Sequence, residues 1–106
     1  MADQKQGAIV ALATACQESS LKDRWDGDAD SVGLFQQRPS QGWGTITQLH
    51  DPSYATTKFL VRLQQVPGWR TLPVAEAAQA VQRSAFPDAY ARWATPAEVL
   101  VSAFDG

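Results

Sequence analysis

Residues 5–21 read KQGAIVALATACQESSL, and this stretch decides the class of fold. Alanine, which has the highest helix propensity, is abundant in it. Its apolar residues recur at the spacing of one helix face: Ala8, Ile9, Leu12, Ala13 and Cys16. Ser19 and Ser20 weaken the pattern at its end. The sequence therefore predicts a helix over 5–21 with Glu18 near its C-terminal end.

Further helices are predicted downstream, but no convincing pair of strands. Asp51 can cap a helix that begins at Pro52, because proline suits the first helical position. The buried stripe expected on this helix is Ala55, Phe59, Leu63 and Val66. Three more helices are expected over 73–85, 87–93 and 95–104. Residues 32–37 can be extended or form a single turn, so the predicted class is mainly α with at most a minimal β element.

Composition and charge narrow the classes of function. With 106 residues, the chain is expected to form one domain, 1–106, around a modest core. Nine basic and eleven acidic residues give a net charge of −2 without a basic run, which argues against nucleic-acid binding. No apolar stretch approaches the ~18 residues of a membrane span, and no secretion signal is visible. The lone Cys16 excludes an intrachain disulfide and a multi-cysteine metal site.

An acidic loop follows the first predicted helix, since residues 26–38 read DGDADSVGLFQQR. A calcium-binding EF-hand loop places oxygen ligands at positions 1, 3 and 5, glycine at position 6 and glutamate at position 12. Counted from Asp26, the three aspartates fit, but Ser31 replaces the glycine and Gln37 the glutamate. A neutral amide does not substitute for a bidentate carboxylate, so no metal and no other cofactor is predicted. A calcium-regulated interaction domain is kept as an alternative, testable by calcium titration.

Two short motifs carry a family resemblance. Glu18 and Ser19 form an E-S pair at a helix end, and residues 33–36, GLFQ, follow after the acidic loop. This order resembles the lysozyme-like superfamily, in the branch of soluble lytic transglycosylases and goose-type lysozymes, whose members carry a catalytic E-S glutamate and a G-L-M-Q motif. DPSYATTKFLVRL (51–63) and AEAAQAVQRSA (75–85) resemble the D-P helix and the alanine-rich helix of that branch. The resemblance spans roughly residues 5–93.

The chain also departs from the pattern of that branch. Phe35 stands in place of the usual methionine, and Val81-Gln82 stands where the branch often has Tyr-Asn. That tyrosine commonly orients the catalytic glutamate. Tyr54 or Tyr90 could supply a phenol instead, and the sequence does not choose between them.

The resemblance implies a lysozyme-like helical domain that cleaves peptidoglycan between N-acetylmuramic acid and N-acetylglucosamine, with Glu18 as the general acid. Partial desolvation on the inner side of a helix favours the protonated carboxyl that this role needs. A second carboxylate that positions water, Asp28 or Asp30, would make the enzyme a hydrolase, the outcome we favour. Without one, the substrate's own hydroxyl attacks, and a lytic transglycosylase leaves an anhydro end.

Sugar binding requires aromatic faces and side chains that form hydrogen bonds. The candidates are Ser31, Gln36, Gln37, Trp43, Phe86 and Tyr90. Trp43 lies between two glycines in a loop, so we expect it to be exposed. Arg38 and Arg83 are candidates for contacts with muramyl carboxylates.

A protein of this kind is expected to act as a monomer, extracytoplasmic, secreted or associated with a phage. The rival from another class is a non-catalytic cell-wall-binding or phage-structural module that keeps the same fold. Glu18 discriminates between the two, because a side chain that points to solvent away from any groove would favour the binding module.

Overall fold

The computed structural model describes residues 2–21, 30–83 and 87–105, with side chains described for 4–21, 30–83 and 89–103. Within these ranges the α-helices are α1 (Ala2–Ser19), α2 (Ile46–Leu49), α3 (Pro52–Gln64), α4 (Val74–Gln82) and α5 (Ala94–Asp105). The 3₁₀ segments are Pro39–Gln41, Trp69–Thr71 and Pro87–Trp93. The predicted mainly α class is therefore confirmed.

The first helix ends directly after the E-S pair, two residues before the predicted end. Ser20 and Leu21 have φ values of 56° and 65°, in the left-handed region that terminates a helix. The N–H of Ser20 still donates to the carbonyl of Cys16 at 3.0 Å, which closes the last turn. Glu18 consequently lies at an end of α1 that other segments can reach.

The third helix begins as its sequence predicts. Asp51 accepts the N–H of Ser53 at 3.0 Å, and Pro52 is the first helical residue. Three members of the predicted stripe have no exposed surface: Ala55, Phe59 and Leu63. Val66 lies beyond the end of the helix and is only half-buried. The stripe prediction is thus confirmed for the residues inside α3.

The G-L-F-Q motif forms a tight antiparallel turn, which is the minimal β element. Val32 and Gln37 exchange two backbone hydrogen bonds, of 2.9 and 3.0 Å, across the turn. Gly33 adopts φ 84°, a conformation that glycine reaches without strain. Phe35 stacks on Phe59 of α3, with ring centroids 4.9 Å apart and planes inclined by 16°. The turn is therefore anchored in the core rather than lying loose on the surface.

Three of the other helical segments differ from prediction. The short α2 was not predicted; Thr45 caps it, and the side chain and backbone of Gln48 complete a capping box with Thr45. The segment Pro87–Trp93 is a 3₁₀ helix, tighter than an α-helix. The fourth α-helix stops at Gln82 because Arg83 adopts a left-handed conformation, φ 52°.

The first helix lies at the centre of the fold, with α3, α4 and α5 packed around it. Val10 of α1 belongs to the main core with Phe59 of α3 and Ala77 of α4. A smaller cluster of Ile9, Ala13 and Ala97 joins α1 to α5. None of the helices in the described ranges is long and apolar enough to cross a membrane.

Candidate active site

Glu18 is held at the end of α1 by two donors from distant parts of the chain. The side chain is half-buried. The phenol of Tyr90 donates to Glu18 Oε2 at 2.5 Å, and Gln82 Nε2 donates to the same oxygen at 3.2 Å. Tyr90 has no exposed surface, so its hydroxyl is fixed by the packing around it. The carboxyl therefore has a defined orientation, which a solvated surface glutamate would lack.

Tyr90 reaches Glu18 because its 3₁₀ segment is attached to the end of α1. The amide oxygen of Gln17 accepts Arg92 Nη2 at 2.9 Å and Trp93 Nε1 at 2.9 Å. These bonds hold the segment against the turn of α1 that carries Glu18. Of the two tyrosines that the sequence left open, Tyr90 supplies the phenol. The hydroxyl of Tyr54 points elsewhere and donates to the backbone carbonyl of Trp43 at 3.5 Å.

The two resemblance motifs are bonded to each other in the fold. The hydroxyl of Ser19 donates to the carbonyl of Leu34 at 2.6 Å, so the serine of the E-S pair contacts the G-L-F-Q turn. Gln82 Nε2 donates at 2.8 Å to the carbonyl of Phe35 as well as to Glu18. The end of α1, the turn and the end of α4 thus form one hydrogen-bonded unit around the Glu18 carboxyl.

Both donors contact Oε2, and no residue of the described ranges donates to the other oxygen, Oε1. In a protonated carboxyl, the oxygen without the proton still accepts hydrogen bonds. A proton on Oε1 is therefore compatible with both contacts, as is the ionised form. This arrangement suits a group that must give up a proton and take it back without moving.

Asp30 is engaged in holding its own loop. Arg38 Nε donates to Oδ1 at 2.5 Å, and the backbone N–H of Ser40 donates to Oδ2 at 2.9 Å. The side-chain hydrogen bond from Arg38, followed by the contacts from Ser40, holds the pKa of Asp30 well below its usual range. The carboxylate is ionised at neutral pH, as a base must be, but both oxygens already have donors.

Several predicted site residues lie outside this network or outside the described residues. Asp28 and Phe86 lie outside the described residues, so their predicted roles stay predictions. Ser31 is half-buried beside Asp30. Tyr90 was predicted as a sugar contact, but with no exposed surface it offers no face for a sugar to stack on. Its contact is with the catalytic candidate instead.

Three of the predicted substrate-binding residues share one cavity, of about 760 Å³: Gln36, Gln37 and Trp43. Gln82 also lines it, so the cavity adjoins the residue that contacts Glu18. Gln37 is almost fully buried, and its Nε2 donates to the carbonyl of Ala55 at 3.4 Å. We call this space the polar cavity, because glutamines and arginines make up most of its lining.

Trp43 is not the exposed residue that its glycine neighbours suggested. Only 7% of its surface is exposed, and the Arg62 guanidinium covers the ring at 4.1 Å from the centroid. Gly44 explains the close packing, because a Cβ at this position would lie 2.9 Å from Tyr54 Cε1. The expectation was wrong because the glycine permits neighbouring side chains to close over the loop.

Other chemistries find little support in the described residues. No three His, Cys, Asp or Glu side chains in these ranges lie together as a metal site would require. Burial raises the pKa of the Cys16 thiol, which disfavours the thiolate that a nucleophile needs. Glu76 and Glu98 are exposed, so neither has the half-buried setting of Glu18.

Sequence reasoning missed the roles of Gln82 and Arg62. Gln82 stands at the position where the branch often has asparagine, so an amide there was a usable signal. Arg62 gave no such signal, because its spacing on α3 does not reveal that the loop around Trp43 folds back onto it.

A scan against protein-family models and a search of curated proteins both returned no match for this chain.

Proposed function

We propose that the protein cleaves the glycan strands of peptidoglycan at the bond from N-acetylmuramic acid to N-acetylglucosamine, with Glu18 as the general acid. The observation that carries this proposal is the Glu18 carboxyl held by Tyr90 and Gln82 beside the G-L-F-Q turn. A non-catalytic module would have no need to orient one carboxyl with two buried or half-buried donors.

In the first step, the Oε1 proton of Glu18 passes to the glycosidic oxygen as the bond from that oxygen to the muramyl anomeric carbon breaks. Positive charge develops on the sugar ring, and the ionised Glu18 that results is stabilised by its two hydrogen bonds. Proton donation by a positioned carboxyl accounts for roughly 10²–10⁴-fold of the rate in reactions of this type.

The second step has two possible nucleophiles. In hydrolysis, water adds to the anomeric carbon and its proton goes to a carboxylate, for which Asp28 and Asp30 are the predicted candidates. In transglycosylation, a hydroxyl of the same muramyl residue adds, its proton returns to Glu18, and an anhydro end forms. Hydrolysis is the outcome favoured by the acidic loop.

A specific contact supports transglycosylation as the second candidate. Both oxygens of Asp30 have donors, Arg38 and the N–H of Ser40. Asp30 would have to exchange one of these contacts to hold a water molecule. If Asp28 does not take that role, Glu18 alone has to supply both the acid and the base.

The test is clearance of a suspension of purified peptidoglycan by the wild type and by Glu18→Gln. Glu98→Gln is the matched control, because Glu98 is an exposed glutamate on α5. We expect Glu18→Gln to lose at least ~10²-fold of the clearing rate and Glu98→Gln to keep it. A Glu18→Gln variant that retains more than half of the wild-type rate would refute the proposal.

A further inference from the structure

The polar cavity concentrates positive charge in a chain whose net charge is negative. Three of the nine basic residues line it, Arg38, Arg62 and Arg83, whereas no acidic residue of the described ranges does. Arg38 is neutralised by Asp30, which lies outside the lining. Arg62 and Arg83 have no ion-pair partner within the described part of the chain. Two unneutralised guanidinium groups therefore line the same cavity.

The geometry of Arg62 favours binding of an anion. Its guanidinium lies over the Trp43 ring and donates from Nη2 to the carbonyl of Gly42 at 3.3 Å. These contacts restrict the side chain before any ligand arrives, so less conformational entropy is lost on binding. A guanidinium presents several donors in a fixed plane, which suits the two oxygens of a carboxylate.

Arg83 lines the same cavity. It ends α4 in a left-handed conformation, and its N–H donates to the carbonyl of Gln79 at 2.8 Å. The preceding residue, Gln82, contacts Glu18, so Arg83 lies one residue along the chain from the candidate acid network. Because Gln82 lines the polar cavity and also contacts Glu18, a ligand in the cavity would lie next to the candidate acid network.

We propose that the polar cavity binds a free carboxylate of the peptide stem carried by the muramyl residue, through Arg62 and Arg83. This inference rests on the proposed function for the identity of the substrate. The stem is attached to the sugar next to the scissile bond, and its glutamate carries a carboxylate unless it is amidated. Binding in this cavity would make the protein selective for glycan strands that retain acidic stems.

Two small ligands of nearly equal size test the proposal: N-acetylmuramyl-L-alanyl-D-glutamate and the matching D-isoglutamine compound, in which one carboxylate is an amide. Binding is measured by calorimetry at low salt, without any need for cleavage. We expect the acid to bind about 10-fold more tightly than the amide, and this preference to shrink as salt is raised. Equal affinities for the two compounds would overturn the proposal.

Variants of the two cavity arginines show which side chains cause the preference for the acid over the amide. Arg83→Gln is expected to abolish most of it with an unchanged melting temperature, because the side chain is exposed. Arg62→Gln should also abolish most of the preference for the acid. Arg62→Lys should retain part of the preference, because it keeps the charge. The matched control is Arg70→Gln, since Arg70 stacks on a different tryptophan, Trp69, and does not line the polar cavity. A preference that survives both glutamine variants would contradict the assignment.

A phosphate-bearing wall polymer is the other source of anions. Glycerol 3-phosphate is therefore tested as a competitor, and displacement at lower concentration than the muramyl acid would overturn the stem assignment. Because these assays measure binding, they separate the two proposals. If the protein binds the acid more tightly than the amide but leaves peptidoglycan intact, only the proposed cleavage is refuted. If it cleaves peptidoglycan but binds the two compounds equally, only the stem assignment is refuted.

Discussion

Replacing Tyr90 by phenylalanine removes the hydroxyl that donates to Glu18. The ring of Tyr90 is completely buried, and phenylalanine fills the same volume apart from the hydroxyl. Among the described residues, Gln82 then remains as the donor to Glu18 Oε2, at 3.2 Å. The variant therefore separates orientation of the carboxyl from packing of the core.

The magnitude follows from the hydrogen bond that is lost. A hydrogen bond to a charged group contributes about 1.5–3 kcal/mol, and each 1.36 kcal/mol of transition-state stabilisation is a factor of ten in rate. Because Gln82 still holds the carboxyl, we expect the lower part of this range, a fall in kcat of ~10-fold with KM little changed. Stability should fall by about 1 kcal/mol, the net contribution of one buried hydrogen bond.

The assay is the initial rate of peptidoglycan cleavage from pH 4 to 9, with the melting temperature of each variant. Tyr54→Phe is the control, because its hydroxyl contacts a backbone carbonyl instead. A lower melting temperature with an unchanged kcat would show that Tyr90 is only structural.

Three further predictions concern Gly44, Asp30 and the response of the activity to metal chelation. Gly44→Ala should destabilise the fold by about 1–3 kcal/mol, measured by urea unfolding, because the new Cβ meets Tyr54 at 2.9 Å; an unchanged midpoint would refute this packing. The pKa of Asp30 lies below its unfolded value of about 3.9, so ionised Asp30 stabilises the fold above that pH and this stabilisation disappears as the pH falls. Asp30→Asn should therefore lower the free energy of unfolding at pH 7 and reduce the stability that is lost on acidification. Equal acid sensitivity of the wild type and the variant would argue against this role of Asp30. Activity should survive dialysis against EDTA, and a loss that calcium alone restores would bring back the calcium-loop alternative.

The sequence predicted the elements whose signals are local. The presence of a helix at α1, the Asp51-Pro52 start of α3 and the buried stripe inside α3 depend on residues close together in the chain, and each is confirmed. The predicted apolar face of α1 is only partly correct, because Ala8 is exposed whereas Val10 and Ala15 are buried. The short α2 escaped notice because four residues carry too little periodicity to stand out from a loop.

The site was predictable only in part, because its contacts join distant residues. Glu18 was selected from the E-S pair, but its donors are 64 and 72 residues away, and no local pattern ranks Tyr90 above Tyr54. For Trp43, the local sequence gave a wrong prediction. Its glycine neighbours indicated exposure, yet a guanidinium from α3 covers the ring.

The most direct test of Glu18-dependent glycan cleavage is mass spectrometry of purified peptidoglycan digested in heavy-oxygen water by the wild type and by Glu18→Gln. We predict that the wild type releases fragments with new muramyl ends and that Glu18→Gln releases none. Heavy oxygen at those ends identifies hydrolysis, whereas ends lighter by one water identify transglycosylation. Strands left intact by the folded wild type, or equal release by both proteins, would contradict the assignment of Glu18 as the general acid.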